Sequence, residues 1–301
     1  MPEDLPEHKE TRELGPDDIG GRLRRVINTH GFAFQARVLK ACHGRNVIEG
    51  PLVAGRWLVR TDEFPASLHR ETEFHIDGIL EYQPHFQSIG TRLVAVECKR
   101  VDPSLKEWCF ARLAGQADSV ITTVTLLESG HEHVPAHLAV GQPIAQLGLE
   151  LKTRDQGNGI GKSLNTAVDQ AFRGAHALVD QVPIWFTSKS GYPIRVCVFP
   201  LIVTTAHLFM ADQLLEDSDI ATGEVGQITV RPVLALWLSV QLNQSLLPKT
   251  WKYRRPSGVD DPVGWAVQQN HQRAVMIANV EGLPIALQAL GVADPRPIVA
   301  S

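Results

Sequence analysis

The sequence predicts an α/β chain with a mixed central sheet flanked by helices and a C-terminal appended lobe. Three observations carry that expectation. Residues 72–77 and 94–99 carry the two-residue period of a strand: Phe74 and Ile76 share one face and His75 and Asp77 the other, and Val94, Val96 and Cys98 alternate with Ala95, Glu97 and Lys99. Segments 17–43 and 162–182 instead place apolar residues at helical spacing. The tract 197–203, Cys-Val-Phe-Pro-Leu-Ile-Val, is continuously apolar and reads as a buried core strand.

Taken in order, residues 1–15 are acidic and proline-bearing, lack the basic start and apolar stretch of a signal peptide, and read as a flexible leader. Asp17 and Asp18 suit the first turn of a helix, because carboxylates complement its positive end. Ile19, Leu23, Val26 and Ile27 continue it, and Gly31 separates it from a second helix over 32–43 that Gly44 closes. Two short strands are expected at 46–53 and 56–60, then a hairpin of 72–82 and 91–101. Pro103 and Ser104 start an expected helix through Trp108 and Leu113. Residues 120–127 are rich in Ile, Thr and Val and suit a strand. The polar stretch 128–160 is expected to loop out in part, and the helix of 162–182 to stop before Pro183. Three β-like runs follow, at 183–187, 192–204 and 208–211. The composition then shifts: 228–242 is very apolar and ambiguous in type, and 264–281 reads as a helix. The expected organisation is a leader over 1–15, a core over 16–225 and a lobe over 226–301 packed on it.

The chemistry concentrates in the hairpin. Ile76-Asp77-Gly78 ends one apolar run, and Val94-Ala95-Val96-Glu97-Cys98-Lys99 the next. Side chains two apart on a strand share a face, so Glu97 and Lys99 project together while Cys98 points to the other side. A hairpin symmetric about Gln87 sets Asp77 opposite Glu97, and two opposed carboxylates repel unless a cation lies between them. Taken singly, Asp77-Gly78 also suits a turn, and Glu97 with Lys99 a surface ion pair of little worth.

This pattern resembles the PD-(D/E)xK nuclease superfamily, which has the restriction-endonuclease-like fold. In that family an acid at a strand end is followed by Glu/Asp-x-Lys on the adjacent strand, usually after a helix bearing a glutamate. Asp77, Glu97 and Lys99 match the motif. Residues 31–39 resemble the first helix, with Gln35 at the glutamate position and Glu49 as a substitute that nothing in the sequence places near the site. The resemblance implies a Mg²⁺-dependent endonuclease, with Mn²⁺ as an alternative ion. Asp77, Glu97 and the main-chain carbonyl of Cys98 would be the ligands, Lys99 would act on the attacking water, and Gln35 would hold a water. It implies a nucleic-acid substrate, DNA before RNA. The departure at Gln35 leaves a second expectation open: a weakly active or inactive binding or sensing module in a larger assembly.

Charge supports a nucleic-acid partner only locally. The net charge is −4, whereas a nonspecific DNA binder usually shows a basic face. Arg37 and Lys40 sit in a basic N-terminal region, Lys162 starts a helix, and Lys252, Arg254 and Arg255 alternate with Trp251 and Tyr253. These six cations are the expected phosphate contacts; a solvated surface run is the plainer alternative for the last three. Gln116 is a further, weaker substrate contact. Residues 157–163 resemble a P-loop, but that spacing needs a glycine at 156, where Gln156 stands. His131, Glu132, His133 and His137 suit a surface loop better than zinc, since the helical HExxH arrangement is missing. His75, on the face of Asp77, reads as a packed histidine. No apolar run of about 18 residues exists, so no membrane span is expected. The four cysteines, at 42, 98, 109 and 197, form no CxxC and suit free thiols in a cytoplasmic protein. The apolar tract 228–242 leaves a homodimer or a defence-system partner as an open expectation.

Overall fold

The computed structural model describes residues 16–68, 72–85, 90–101, 107–112, 120–122, 125–128, 132–134, 136–151, 162–185, 195–214, 227–241, 272–294 and 296–297. Four helices lie among them: α1 (Pro16–His30), α2 (Phe32–Cys42), α3 (Lys162–Trp185) and α4 (Leu283–Val292). The strands are β1 (Asn46–Glu49), β2 (Leu52–Leu68), β3 (Thr72–Pro84), β4 (Gly90–Lys99), β5 (Glu107–Arg112), β6 (Val120–Thr122), β7 (Thr125–Glu128), β8 (Glu132–Val134) and β9 (Ala136–Ala139). They continue with β10 (Ile144–Ala145), β11 (Leu147–Leu151), β12 (Arg195–Thr204), β13 (His207–Leu214), β14 (Val230–Val233), β15 (Ala235–Gln241), β16 (Gln272–Asn279) and β17 (Arg296–Pro297).

A ten-stranded mixed sheet runs β1-β2-β3-β4-β12-β16-β15-β10, with β7 and β8 branching from β12. Strands β1 to β4 form an antiparallel meander, β12 pairs in parallel with both β4 and β16, and β15 returns antiparallel to β16. The parallel centre is covered on both faces, which is why its strands read as continuous apolar runs. On one face α3 lays Leu164, Ala171, Phe172 and Ala175 against Ile79, Leu93, Ala95 and Ile202. On the other, Val38 and Leu39 of α2 and Leu287 and Leu290 of α4 pack with Leu80, Val94, Val96 and Val203. The Trp57 indole donates to the Leu287 carbonyl at 2.9 Å, tying α4 to β2.

Several expectations change. The turn after β1 falls at Gly50-Pro51, where Gly50 has φ 58°, so β2 begins earlier than expected and runs on to Leu68. Gly55 is inside β2 because a side chain there would strike the Tyr82 ring. Residues 107–112 form β5 rather than part of a helix: Trp108 and Phe110 are buried while Glu107, Cys109 and Ala111 are less so, a period-two pattern. Within 128–160, the described residues contribute β8 to β11. Helix α3 continues through Pro183 to Trp185, since proline near a helix end forfeits only one hydrogen bond. Residues 272–279, expected to be helical, form β16, and 235–241 form β15, so the stretch expected to make an appended lobe supplies strands to the main sheet. Leu236, Trp237 and Leu238 are spent in the core.

Candidate functional site

The hairpin of β3 and β4 is in the register the sequence suggested. Gly78 pairs with Val96, Ile79 with Ala95 and Leu80 with Val94, a ladder symmetric about residue 87. It ends at Gly78 and Val96, so the next step places Asp77 and Glu97 where the strands part. A carboxylate oxygen of Asp77 accepts the Cys98 amide at 2.7 Å, which fixes the first acid against the second strand. Asp77-Gly78 is therefore strand, not turn. Gly78 gives α2 room to approach: the Leu39 side chain lies 2.3 Å from where a Cβ would sit, so a larger residue forces Leu39 or the strand to move. The strand alternation also slips at this point: Ile76 and Ile79, three apart, both pack on the α3 face.

Glu97 is only 7% exposed, and among the described residues its carboxyl has no hydrogen-bond or ion-pair partner. Burial, and then the nearby Asp77 charge, push its pKa up to about 8, against the opposing pull of Lys99. Asp77 is also raised, chiefly by burial and further by Glu63, with the Cys98 amide and Lys99 pulling the other way. Lys99 is half-buried and makes no direct ion pair with either acid among the described residues. Burial pushes the Cys98 thiol well above its ordinary range, leaving it neutral, so only its main chain suits a hard cation.

Gln35 is buried on α2, and its side-chain amide donates to the Asp77 main-chain carbonyl at 2.8 Å. It clamps the strand carrying the acid. Glu49 lies on β1, next to the β1–β2 turn, and is exposed. Sequence reading missed Glu63. Strand β2 pairs Asp62 with Gly78 and Phe64 with Ile76, which sets Glu63 opposite Asp77. Its φ of 45° lies in the left-handed region, rare for a residue with a side chain. No local signal in the sequence marks it, because only the register across two strands brings it there. Even so, no group of three or more His, Cys, Asp and Glu side chains converges on a metal position among the described residues.

The other expected residues fall elsewhere. Arg37 and Lys40 are exposed on α2. Lys162 begins α3, where the Ser163 amide and hydroxyl both bond the Glu150 carboxylate, at 3.1 and 2.6 Å. That acid already caps the helix and leaves the P-loop-like segment without the free helix start a phosphate needs. Residues 153–161, Gln116, Lys252, Arg254 and Arg255 lie outside the described residues, as do the side chains of His131, Glu132, His133 and His137. His75 is exposed rather than packed. No helix among the described residues is long and apolar enough to cross a membrane. No family model, curated protein or solved structure matches this chain.

Proposed function

We propose that the chain is a metal-dependent nuclease of the PD-(D/E)xK type, hydrolysing phosphodiester bonds in DNA. One observation carries the reading: a buried Glu97 carboxyl whose pKa the neighbouring Asp77 helps to raise, at the point where two paired strands separate. Burying two acids together is costly unless a cation offsets them. The available donors are hard oxygens, two carboxylates and the Cys98 carbonyl, which fit Mg²⁺ or Mn²⁺. Such an ion, when bound, supplies Lewis-acid stabilisation next to the phosphate. The rest falls to the chain itself. Lys99 orients the attacking water and offsets charge growing on the phosphate oxygens. Gln35, through the Asp77 carbonyl, holds the first acid in place. The helix preceding a mixed sheet, the acid at the end of a strand pairing and the Glu-x-Lys triplet on the adjacent strand all support the same class.

Replacing Asp77, Glu97 or Lys99 by alanine is expected to lower Mg²⁺-dependent nicking of supercoiled DNA by two orders of magnitude or more, roughly the loss of one transition-state contact. Circular dichroism should stay that of the parent. Three variants that all cut like the parent overturn the reading. A second reading, a binding module without efficient cleavage, draws on Gln35 standing where the family carries glutamate. Calorimetric titration with Mn²⁺ separates the two: no heat of binding by the parent supports the inactive module.

A further inference from the structure

A cavity of about 300 Å³ lies between α2, α4 and the end of β12, one element away from the two acids. Its wall is largely apolar, with Phe34, Val38 and Ala41 on one side and Leu283, Pro284 and Leu287 on the other. Two guanidinium groups, Arg37 and Arg45, border the same space, and both residues are exposed. The first turn of α4 contributes Leu283 and Pro284 as apolar wall; the Leu283 amide is bonded to the Val280 carbonyl and Pro284 has none, so the charge at the rim comes from the two arginines. Among the lining residues no acid opposes these charges.

The cavity is joined to the site through two short paths. Thr205, in its wall, donates its amide to the Lys99 carbonyl at 3.2 Å and accepts the Val101 amide on its hydroxyl at 3.1 Å. Phe34 immediately precedes Gln35, whose side chain holds Asp77. The cavity therefore abuts the backbone end of β4 on the α2 and α4 face of the sheet, the face of Val96 and Cys98, and an occupant would reach Glu97 and Lys99 around the end of the strand.

We propose that this cavity is a nucleotide subsite: one unstacked base enters the apolar space against Phe34, and its phosphate is held by Arg37 and Arg45. The chemistry follows from the mixed lining. A flat aromatic base suits a small apolar recess with an aromatic wall, and base–aromatic stacking tolerates any sequence. The two guanidiniums on the rim recognise the attached phosphate. A base inside a duplex cannot reach a recess of this kind, so the subsite favours single-stranded or flipped nucleotides. The proposal rests on the nuclease reading for its substrate class, and it adds which form of nucleic acid the site prefers.

The test uses the full chain and fluorescence anisotropy with a labelled single-stranded oligodeoxynucleotide. A duplex of the same length, a free deoxynucleoside monophosphate and inorganic phosphate are run beside it. The parent is expected to bind the single strand at least tenfold more tightly than the duplex. Ala41→Phe fills the recess, and Phe34→Ala removes the stacking wall; each should weaken single-strand binding about tenfold. Arg37→Ala with Arg45→Ala should weaken it further and lower the salt dependence by about two contacts. Because both arginines are exposed, that double variant keeps the test open if the Ala41→Phe chain fails to fold. Unchanged single-strand affinity in the folded variants overturns the proposal, and so does saturation by the free monophosphate without any oligonucleotide binding. Asp77→Asn separates this from the reading it rests on: lost cleavage with retained single-strand binding supports both. A parent that never cuts but loses binding in the cavity variants supports the subsite alone, and a parent that cuts while those variants bind normally overturns the subsite alone.

Discussion

Glu97 sets the pH behaviour at the residue scale. Its pKa in the folded chain stands at about 8, above an ordinary value of 4.5. The native state therefore keeps a proton that the unfolded chain has already released, and stability falls as pH rises from about 4.5 to about 8. Above that window the loss is complete and the curve flattens. Asp77 is shifted in the same direction and adds to the slope. Glu97→Gln is expected to make the metal-free chain more stable at pH 8, by on the order of a few kcal/mol. Urea titrations at several pH values read this directly: the parent should weaken across the window while the variant stays nearly level. A divalent ion reverses the pattern, because binding to Glu97 must displace its proton. Mn²⁺ affinity should then rise by roughly tenfold per pH unit below about 8. An affinity independent of pH would mean that Glu97 is not a ligand.

Elements α2, β3 and β4 make the site as a unit. Leu39 of α2 presses on Gly78 while Gln35, one turn earlier, holds the Asp77 carbonyl. Gly78→Ala forces Leu39 or the strand to move and should cost about 1–3 kcal/mol. Pairing it with Leu39→Ala should recover part of that loss, which thermal unfolding of the double variant would reveal. Gln35→Ala leaves the Asp77 carbonyl without its partner; it should cost about 1 kcal/mol and also weaken Mn²⁺ binding. The hairpin register was legible in the sequence, because Asp77 and Glu97 end apolar runs spaced about one centre and any slip would move the apolar faces out of the core. Helix α2 was legible from its spacing and its flanking glycines, and α3 from its spacing, though not from Pro183, which it runs past. Strand β5 was not, because Pro103 and Ser104 suit a helix start and the alternation of Glu107, Trp108, Cys109 and Phe110 spans few residues. The roles of Gly78, Gln35 and Glu63 were hidden for a different reason. Each depends on what a distant element brings to the position, and a local pattern holds no record of that.

Across the whole molecule, the sheet does not stop where the composition changes. Strand β12, at its centre, has β4 on one side and β16 on the other, and β16 pairs with β15, both beyond residue 225. Helix α4, from the same stretch, covers the face that α2 shares and receives the Trp57 hydrogen bond. Val203 and Leu201 of β12 are fully buried, and removing β16 and α4 would open a central strand and its apolar face to water. A chain ending at residue 225 is therefore expected to lose cooperative unfolding and to aggregate, rather than to retain a smaller stable core. Differential scanning calorimetry with analytical ultracentrifugation would show this. A single sharp transition in a monomeric 1–225 chain would mean that the first four strands and α3 stabilise themselves, and that the C-terminal strands are accessory. The same fragment tests the site indirectly. Thr205, which braces Lys99, follows the strand that β16 supports, so loss of β16 should disturb the end of β4 even where the hairpin of β3 and β4 persists.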